Sequence, residues 1–170
     1  LLSGFDDDDK VDIESYLEWI KENADWIKAL EYKKDEAGDP LYEKVIPDYN
    51  KGTYILMRWL TDREATRDNL TPYWTSTVDV KYYGQLCDGT PFDSSYLSVS
   101  PADSIFRTRL NAVIQGWSIA LQQMHVGDSC EVIIPFDAAY GVSGSGSIPP
   151  YSNLKFGIKL VDIPYYEIKK

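Results

Sequence analysis

The second half of the chain consists mainly of short strand-like segments separated by turn residues. Alternating or continuous apolar residues predict strands in three segments: TVDVKYYGQL (77–86), SCEVIIPF (129–136) and LKFGIKLVDI (154–163). One short segment, GWSIALQQM (116–124), has helical spacing instead, with four residues on one side: Trp117, Ala120, Leu121 and Met124. Because the strands do not alternate with helices, the pattern predicts an α+β fold in which antiparallel strands surround one short helix, rather than βαβ units.

The N-terminal region has a different pattern. LLSGFDDDDK contains four consecutive aspartates, which predicts a solvated, flexible acidic leader over residues 1–11. It is either a natural tether or a cleavage scar, because DDDDK is also a protease tag sequence. Asp12 is a candidate N-cap for a helix over residues 12–30. Its apolar residues recur every three or four positions: Ile13, Tyr16, Leu17, Ile20, Ala24, Ile27 and Leu30.

Trp19 and Trp26 widen the apolar stripe of this helix beyond what a solvated helix tolerates. Two partners are open: the chain's own domain, or a second copy in a homodimer. After the helix, TYILMRWL (53–60) predicts a buried strand, and DREATRDNLTP (62–72) predicts a loop. The predicted organisation is therefore a leader, a helical extension over residues 12–50 and one domain over residues 51–170.

Charge and hydropathy exclude two classes of partner. A net charge of -10 repels phosphate backbones, and no basic patch reverses it locally, so no nucleic-acid partner is expected. Apolar runs are far shorter than the roughly 20 residues of a membrane span, and the first residues lack the pattern of a signal peptide. Cys87 and Cys130 are either two separate thiols or one disulfide.

Conventional catalytic motifs are missing from the sequence. His125, the single histidine, lies in a predicted surface turn, and no G-x-S-x-G nucleophile motif accompanies it. No ligand spacing for zinc and no phosphate loop is found, so neither a metal nor a cofactor is expected. Most aspartates occupy turns beside Gly, Ser or Pro. An enzyme built on this chain would have to act through shape and solvation.

Three stretches carry a specific resemblance. They are VKYYGQLCDGTPFDSS (80–95), AVIQGWSIALQQMHVGDSCEVIIPFDAAYG (112–141) and SIPPYSNLKFGIKLVDI (147–163). In this order and spacing they resemble the signature blocks of the FKBP-type peptidyl-prolyl isomerases, the immunophilin family. The features that recur together are a tyrosine-glycine turn, DG-x-x-FDSS, VI-x-GW, Q-M-x-x-G, AYG and IPP. The resemblance covers roughly residues 72 to 163.

This resemblance implies a twisted antiparallel half-barrel wrapped around one short helix, with an aromatic pocket between them. Carried over by position, the catalytic residues are Tyr82, Phe92, Asp93, Ile114, Trp117 and Tyr140. The substrate-binding residues are Val113, Phe106, Ile148 and Phe156. Trp117 is expected to form the floor, Ile114 to offer its backbone N–H, and a semi-buried Asp93 to accept hydrogen bonds. Ile148 is expected to close the rim of an adaptable Gly/Ser loop that begins at Tyr140.

The resemblance further implies a prolyl isomerase (rotamase) that assists protein folding by twisting X-Pro bonds of unfolded or extended polypeptides. The alternative is a non-catalytic binding module or chaperone that recognises a proline-containing partner. Macrolide-type inhibitors are candidate ligands. Ser104 stands where the family often has another aromatic residue, and Phe106 is expected to replace it. The acidic run resembles the leader of exported bacterial lipoproteins, which favours a periplasmic or lipid-anchored envelope protein, with a cytoplasmic location as the alternative.

Overall fold

The computed structural model describes residues 13–98 and 104–166, and in these residues it contains one seven-stranded antiparallel sheet and a helix near the start. The strands are β1 (Glu43–Val45), β2 (Ile55–Trp59), β3 (Thr77–Leu86), β4 (Pro91–Ser94), β5 (Phe106–Arg109), β6 (Ser129–Ile134) and β7 (Leu154–Asp162). The α-helices are α1 (Leu17–Glu31), α2 (Arg63–Thr66), α3 (Ser95–Ser98) and α4 (Gln115–Leu121). The predicted α+β class and antiparallel sheet are confirmed.

β3 pairs with three other strands of the sheet. The strand order is β1-β2-β6-β7-β3-β4, and β5 also pairs with β3. One edge of β3 pairs with β7 along most of its length. The other edge is shared: its first half pairs with β5 and its second half with β4. β4 and β5 therefore lie end to end along β3, so side chains from both strands reach the middle of that strand.

Helix α4 packs against the concave face of this sheet. The four residues predicted on one side of this helical segment are all buried: Trp117, Ala120, Leu121 and Met124. Gly116 at the start of α4 lies against Ile134 of β6, where an added Cβ would come within 2.4 Å of the isoleucine side chain. The helix can therefore lie close to the sheet only because this position has no side chain.

The predicted N-terminal helix is present, and it turns only part of the predicted apolar face to the domain. A 3₁₀ turn over Ile13–Tyr16 leads into α1, while the proposed cap, Asp12, and the acidic leader lie outside the described residues. Ile13, Leu17 and Ala24 of the predicted stripe are exposed. The face towards the domain contains Trp19, Asn23, Trp26, Ile27 and Leu30. Polar contacts fix this orientation of the helix about its axis, and a pattern of apolar residues carries no information about such contacts.

Asn23 is the polar centre of the contact between α1 and the domain. Its Oδ1 accepts a hydrogen bond from the Asn153 backbone N–H at 2.9 Å, and its carbonyl accepts one from the Asn153 side-chain amide at 3.0 Å. Trp19 donates its indole N–H to Ser152 at 3.0 Å. Both asparagines are buried. The helix thus packs on its own domain, the first of the two partners considered, and the homodimer stays a prediction.

The structure corrects the expected loop after β2 and settles the state of the two cysteines. The segment predicted as a loop after β2 contains α2, because Asp62 caps it by accepting a hydrogen bond from Glu64 N–H at 3.0 Å. Cys87 and Cys130 are free thiols, so the disulfide alternative is wrong. Across residues 13–98 and 104–166, no helix has the length and apolar character needed to cross a membrane.

Replacing Asn23 with alanine is expected to lower the free energy of unfolding by about 1–3 kcal/mol, because it leaves the buried Asn153 N–H without a partner. Denaturant unfolding of the whole chain measures this. Lys28→Ala, on an exposed position of the same helix, is the matched control and should change stability by no more than about 0.5 kcal/mol. Equal effects of the two substitutions would contradict the assigned role of Asn23.

Candidate active site

A cavity of about 440 Å³ opens between α4 and the sheet. Its lining residues are Tyr82, Phe92, Asp93, Phe106, Ala112, Val113, Ile114, Trp117, Tyr140 and Phe156. The structure therefore brings together every site residue proposed from the sequence except Ile148. It adds Ala112, which the sequence reasoning missed because a small apolar residue gives no signal of its own.

Trp117 forms the floor of this cavity and is the point at which its aromatic rings meet. The indole makes edge-on contacts with three rings, at centroid distances of 4.8 Å to Tyr82, 5.4 Å to Phe156 and 6.2 Å to Phe106. Edge-to-face packing of this kind is the favoured geometry for aromatic pairs. Phe106, from β5, also packs on Tyr82 at 5.6 Å, so it supplies the aromatic wall that Ser104 does not.

The indole N–H of Trp117 has no hydrogen-bond partner among the described residues, although the side chain is only 4% exposed. A buried donor without a partner costs free energy, because it has lost its water without replacement. Because the nitrogen itself has almost no exposed surface, this cost is borne by the folded state and the N–H is not open to a ligand.

Gly84 explains how two phenylalanines can form the opposite wall. The family resemblance predicts a tyrosine-glycine turn at this position. In the structure, Gly84 lies inside β3, where it pairs with Asp93 and Phe156. A Cβ on Gly84 would come within 2.5 Å of Phe92 and 2.8 Å of Phe156. The two rings lie perpendicular at 5.5 Å directly over this position. The glycine is therefore required for packing, because it leaves the space that the rings occupy.

Asp93 fixes the rim of the cavity through Tyr82. Its carboxylate accepts a hydrogen bond from the Tyr82 hydroxyl at 2.5 Å and another from the Ser94 backbone N–H at 2.7 Å. The prediction that Asp93 is semi-buried is wrong: β4 lies at an edge of the sheet, so the residue is exposed. Its acceptor role towards a neighbouring side chain agrees with the geometry.

Tyr140 and Ile114 each offer a donor at the cavity. Neither the Tyr140 hydroxyl nor the Ile114 backbone N–H has a hydrogen-bond partner among the described residues. Ile114 precedes the first residue of α4 and adopts an extended conformation, with ψ of 149°. Burial, and then the nearby Asp93 carboxylate, raise the pKa of Tyr140 above its usual value. The hydroxyl therefore stays protonated and able to donate at neutral pH.

The loop after Tyr140 differs from the adaptable flap predicted from its glycines and serines. Ser145 and Ile148 exchange two backbone hydrogen bonds, at 3.0 and 2.8 Å, and Tyr151 N–H binds the Gly141 carbonyl at 3.1 Å. The resulting turn folds Ile148 back into the hydrophobic core, where it is 7% exposed. Ile148 thus supports the loop from below and does not line the cavity, which corrects its proposed place on the rim.

His125 takes no part in the cavity. Its Nδ1 lies 2.8 Å from the Asn69 carbonyl and 3.0 Å from the Thr71 hydroxyl, in a turn between α4 and β6. These contacts leave it half-buried instead of on the surface as predicted. Within the described part of the chain, no group of three or more His, Cys, Asp or Glu side chains is arranged to hold a metal ion.

Comparison with known proteins identifies the same region. Residues 70–161 match the family model described as FKBP-type peptidyl-prolyl cis-trans isomerase. The macrophage infectivity potentiator of Trypanosoma cruzi is 50% identical over 86 residues, which are 50% of this chain and 42% of that protein. The outer membrane protein MIP of Legionella longbeachae is 42% identical over 93 residues, or 54% of this chain and 38% of that protein.

The fold comparison extends over most of the chain. A crystal structure of a peptidyl-prolyl cis-trans isomerase from Pseudomonas syringae pv. tomato has a TM-score of 0.66 and 30% sequence identity, and the match covers 94% of this chain and 98% of that one. In contrast, the sequence match covers less than half the length of each of the two curated relatives described above.

Substituting alanine for Gly84 is expected to lower the free energy of unfolding by about 1–3 kcal/mol, because the new methyl group collides with two aromatic rings. Chemical denaturation measures the loss. Phe92→Leu, made in both backgrounds, tests the cause: it should cost less stability in Gly84→Ala than in the wild type. Additive losses would show that ring crowding is not the reason for the glycine.

The Tyr140 hydroxyl is expected to lose its proton only above about pH 10, the usual value for tyrosine. Because its pKa is raised by folding, its contribution to stability is complete below that pH and is lost as the pH rises through the folded pKa. A ¹³Cζ NMR titration measures the value directly. Asp93→Asn should lower it only in part, since burial remains. A value at or below the usual one would contradict the described environment.

Proposed function

Because this chain belongs to the family of FKBP-type peptidyl-prolyl cis-trans isomerases, we propose that it catalyses cis–trans isomerisation of X-Pro bonds in unfolded or extended polypeptides. The observation that carries the proposal is the cavity itself. It combines an aromatic floor and walls with two donors that have no partner among the described residues: the Tyr140 hydroxyl and the Ile114 backbone N–H.

The reaction needs no proton transfer, which fits a site without conventional acid–base groups. Rotation about an X-Pro bond faces a barrier of about 20 kcal/mol, because resonance gives the C–N bond partial double-bond character. At the twisted transition state this resonance is lost and the amide becomes less polar. An apolar cavity therefore binds the twisted amide better than the planar one, and this difference in binding lowers the barrier.

Each lining group has a distinct part in this mechanism. The proline ring lies on the Trp117 floor, against the wall formed by Phe92 and Phe156, where it is removed from water. The Tyr140 hydroxyl and the Ile114 N–H donate to carbonyl oxygens of the substrate and fix its orientation. Asp93 has a positioning role and no role in proton transfer. Its carboxylate accepts a hydrogen bond from the Tyr82 hydroxyl and holds that ring in place.

The required energies are within reach of such a site. A ten-thousandfold acceleration corresponds to about 5.5 kcal/mol of preferential binding to the transition state. Two oriented hydrogen bonds contribute about 1 kcal/mol each. Contacts between the proline and the surrounding rings supply the remainder, through burial of apolar surface worth about 25 cal/mol per Å².

We also propose finer assignments that follow from the sequence. Residues 51–170 form the isomerase domain and residues 12–50 an extension, which the docking of α1 on Asn153 supports as a stabilising element. The same proposal includes three further properties: folding assistance with chaperone character, a periplasmic or lipid-anchored envelope location, and inhibition by macrolide-type compounds. The acidic leader supports the location, and the aromatic cavity supports the inhibitors.

Tyr140→Phe is expected to lower kcat/KM for a short X-Pro peptide about three- to tenfold, the cost of one hydrogen bond made to the reacting amide. NMR exchange or a protease-coupled assay measures the rate. Tyr151→Phe is the matched control, because Tyr151 packs on Phe136 away from the cavity and should leave the rate unchanged. Folding of each variant is checked by circular dichroism.

If the folded wild-type protein at micromolar concentration gives no rate enhancement, the proposed isomerase activity is rejected. Peptide binding without catalysis would then favour the non-catalytic binding module. An unchanged rate in Tyr140→Phe, with an active wild type, would instead remove the Tyr140 hydroxyl from the mechanism.

A further inference from the structure

A second cavity, of about 510 Å³, adjoins the first one along α4. We call it the second groove, and it is lined by Tyr49, Trp74, Asn111, Val113, Gln115, Ser118 and Gln122. Val113 lines both cavities, so the two are adjacent at this side chain. The two cavities therefore form neighbouring parts of one continuous surface.

Helix α4 forms the ridge between the two cavities. At 100° per residue, Gln115, Ser118 and Gln122 lie on one face of the helix, and all three line the second groove. Ile114 and Trp117 lie on the adjacent face and line the first cavity. A polypeptide that passes from one cavity to the other must therefore cross the start of α4, where the Ile114 N–H has no partner among the described residues.

The chemistry of the second groove suits an uncharged, extended polypeptide. Trp74 and Tyr49 are 56% and 66% exposed, so two aromatic faces lie open to solvent. The side-chain amides of Asn111, Gln115 and Gln122 both donate and accept hydrogen bonds, as peptide groups do. Among the described residues that line it there is no Asp, Glu, Lys or Arg, which argues against an anion or a cation as the ligand.

We propose that the second groove binds the residues that flank the target proline and so extends the substrate site. The proposal rests on the function proposed above, because it requires a polypeptide in the first cavity. An extended chain advances about 3.3 Å per residue, so about four residues beyond the proline reach well along α4. The groove thereby selects long, unfolded polypeptides with apolar or aromatic flanks over short peptides.

The test compares one X-Pro tetrapeptide with a longer peptide that adds about four uncharged, partly aromatic residues on either side. Trp74→Ala is expected to lower kcat/KM for the longer peptide about five- to tenfold and to leave the tetrapeptide unchanged, since the indole contacts only the flanking residues. Tyr73→Ala is the matched control. Tyr73 is the neighbouring exposed aromatic residue, it lines neither cavity, and its removal should affect neither peptide.

Equal losses on both peptides, or no loss on either, would overturn the second groove as a substrate site. Light scattering of the wild type and Trp74→Ala tests whether the groove instead binds a second copy of the chain. If the wild type is a dimer and the substitution dissociates it, the proposed substrate site is also overturned. Calorimetric binding of both peptides separates this proposal from the catalytic one. If the wild type is inactive yet binds the longer peptide tighter than Trp74→Ala does, the groove stands and the isomerase fails. Equal affinities would reject the groove whether or not the protein is active.

Discussion

The packing of Trp117 against three perpendicular rings is the interaction on which the site depends. Its partners come from different strands, Tyr82 from β3, Phe106 from β5 and Phe156 from β7, while the indole itself is fixed by α4. The sheet must therefore curve around the helix for all these rings to meet. Because edge-to-face contacts have specific distances and angles, the same interaction that closes the core also sets the shape of the cavity.

A second set of contacts connects the N-terminal helix to the loop that carries Tyr140. Asn153 is bonded to Asn23 on one side, and its Oδ1 accepts the Phe136 N–H at 2.9 Å on the other. Phe136 begins the turn before Tyr140, and its carbonyl accepts the Gly141 N–H at 2.8 Å. The position of the Tyr140 hydroxyl thus depends on backbone groups that α1 helps to hold. An element outside the family match contributes in this way to the geometry of the site.

Much of the site followed from the spacing of motifs, because these residues lie on regular elements. The resemblance to the family placed Tyr82 and Trp117 in one pocket, while the alternation in β3 and the helical spacing in α4 set which side chains share a face of each element. Ile148 was misplaced because its position depends on a hydrogen-bonded turn within a glycine-rich loop, where no periodicity exists. Asp93 was judged semi-buried from its neighbour Phe92, but exposure at a sheet edge depends on strand order, which residue patterns leave open.

By itself, the sequence determined the fold class, four of the seven strands, the helix of the floor and, through the resemblance to the family, the set of aromatic residues that meet there. These depend on local periodicity and on residue types that recur at fixed spacing. The tertiary structure decided the face that α1 turns to the domain, the need for Gly84 beneath two rings, and the second groove beside α4. Each of these results from contacts between segments far apart in the chain, such as Asn23 with Asn153, and from the space that such contacts leave. Patterns within a single segment carry no information about either.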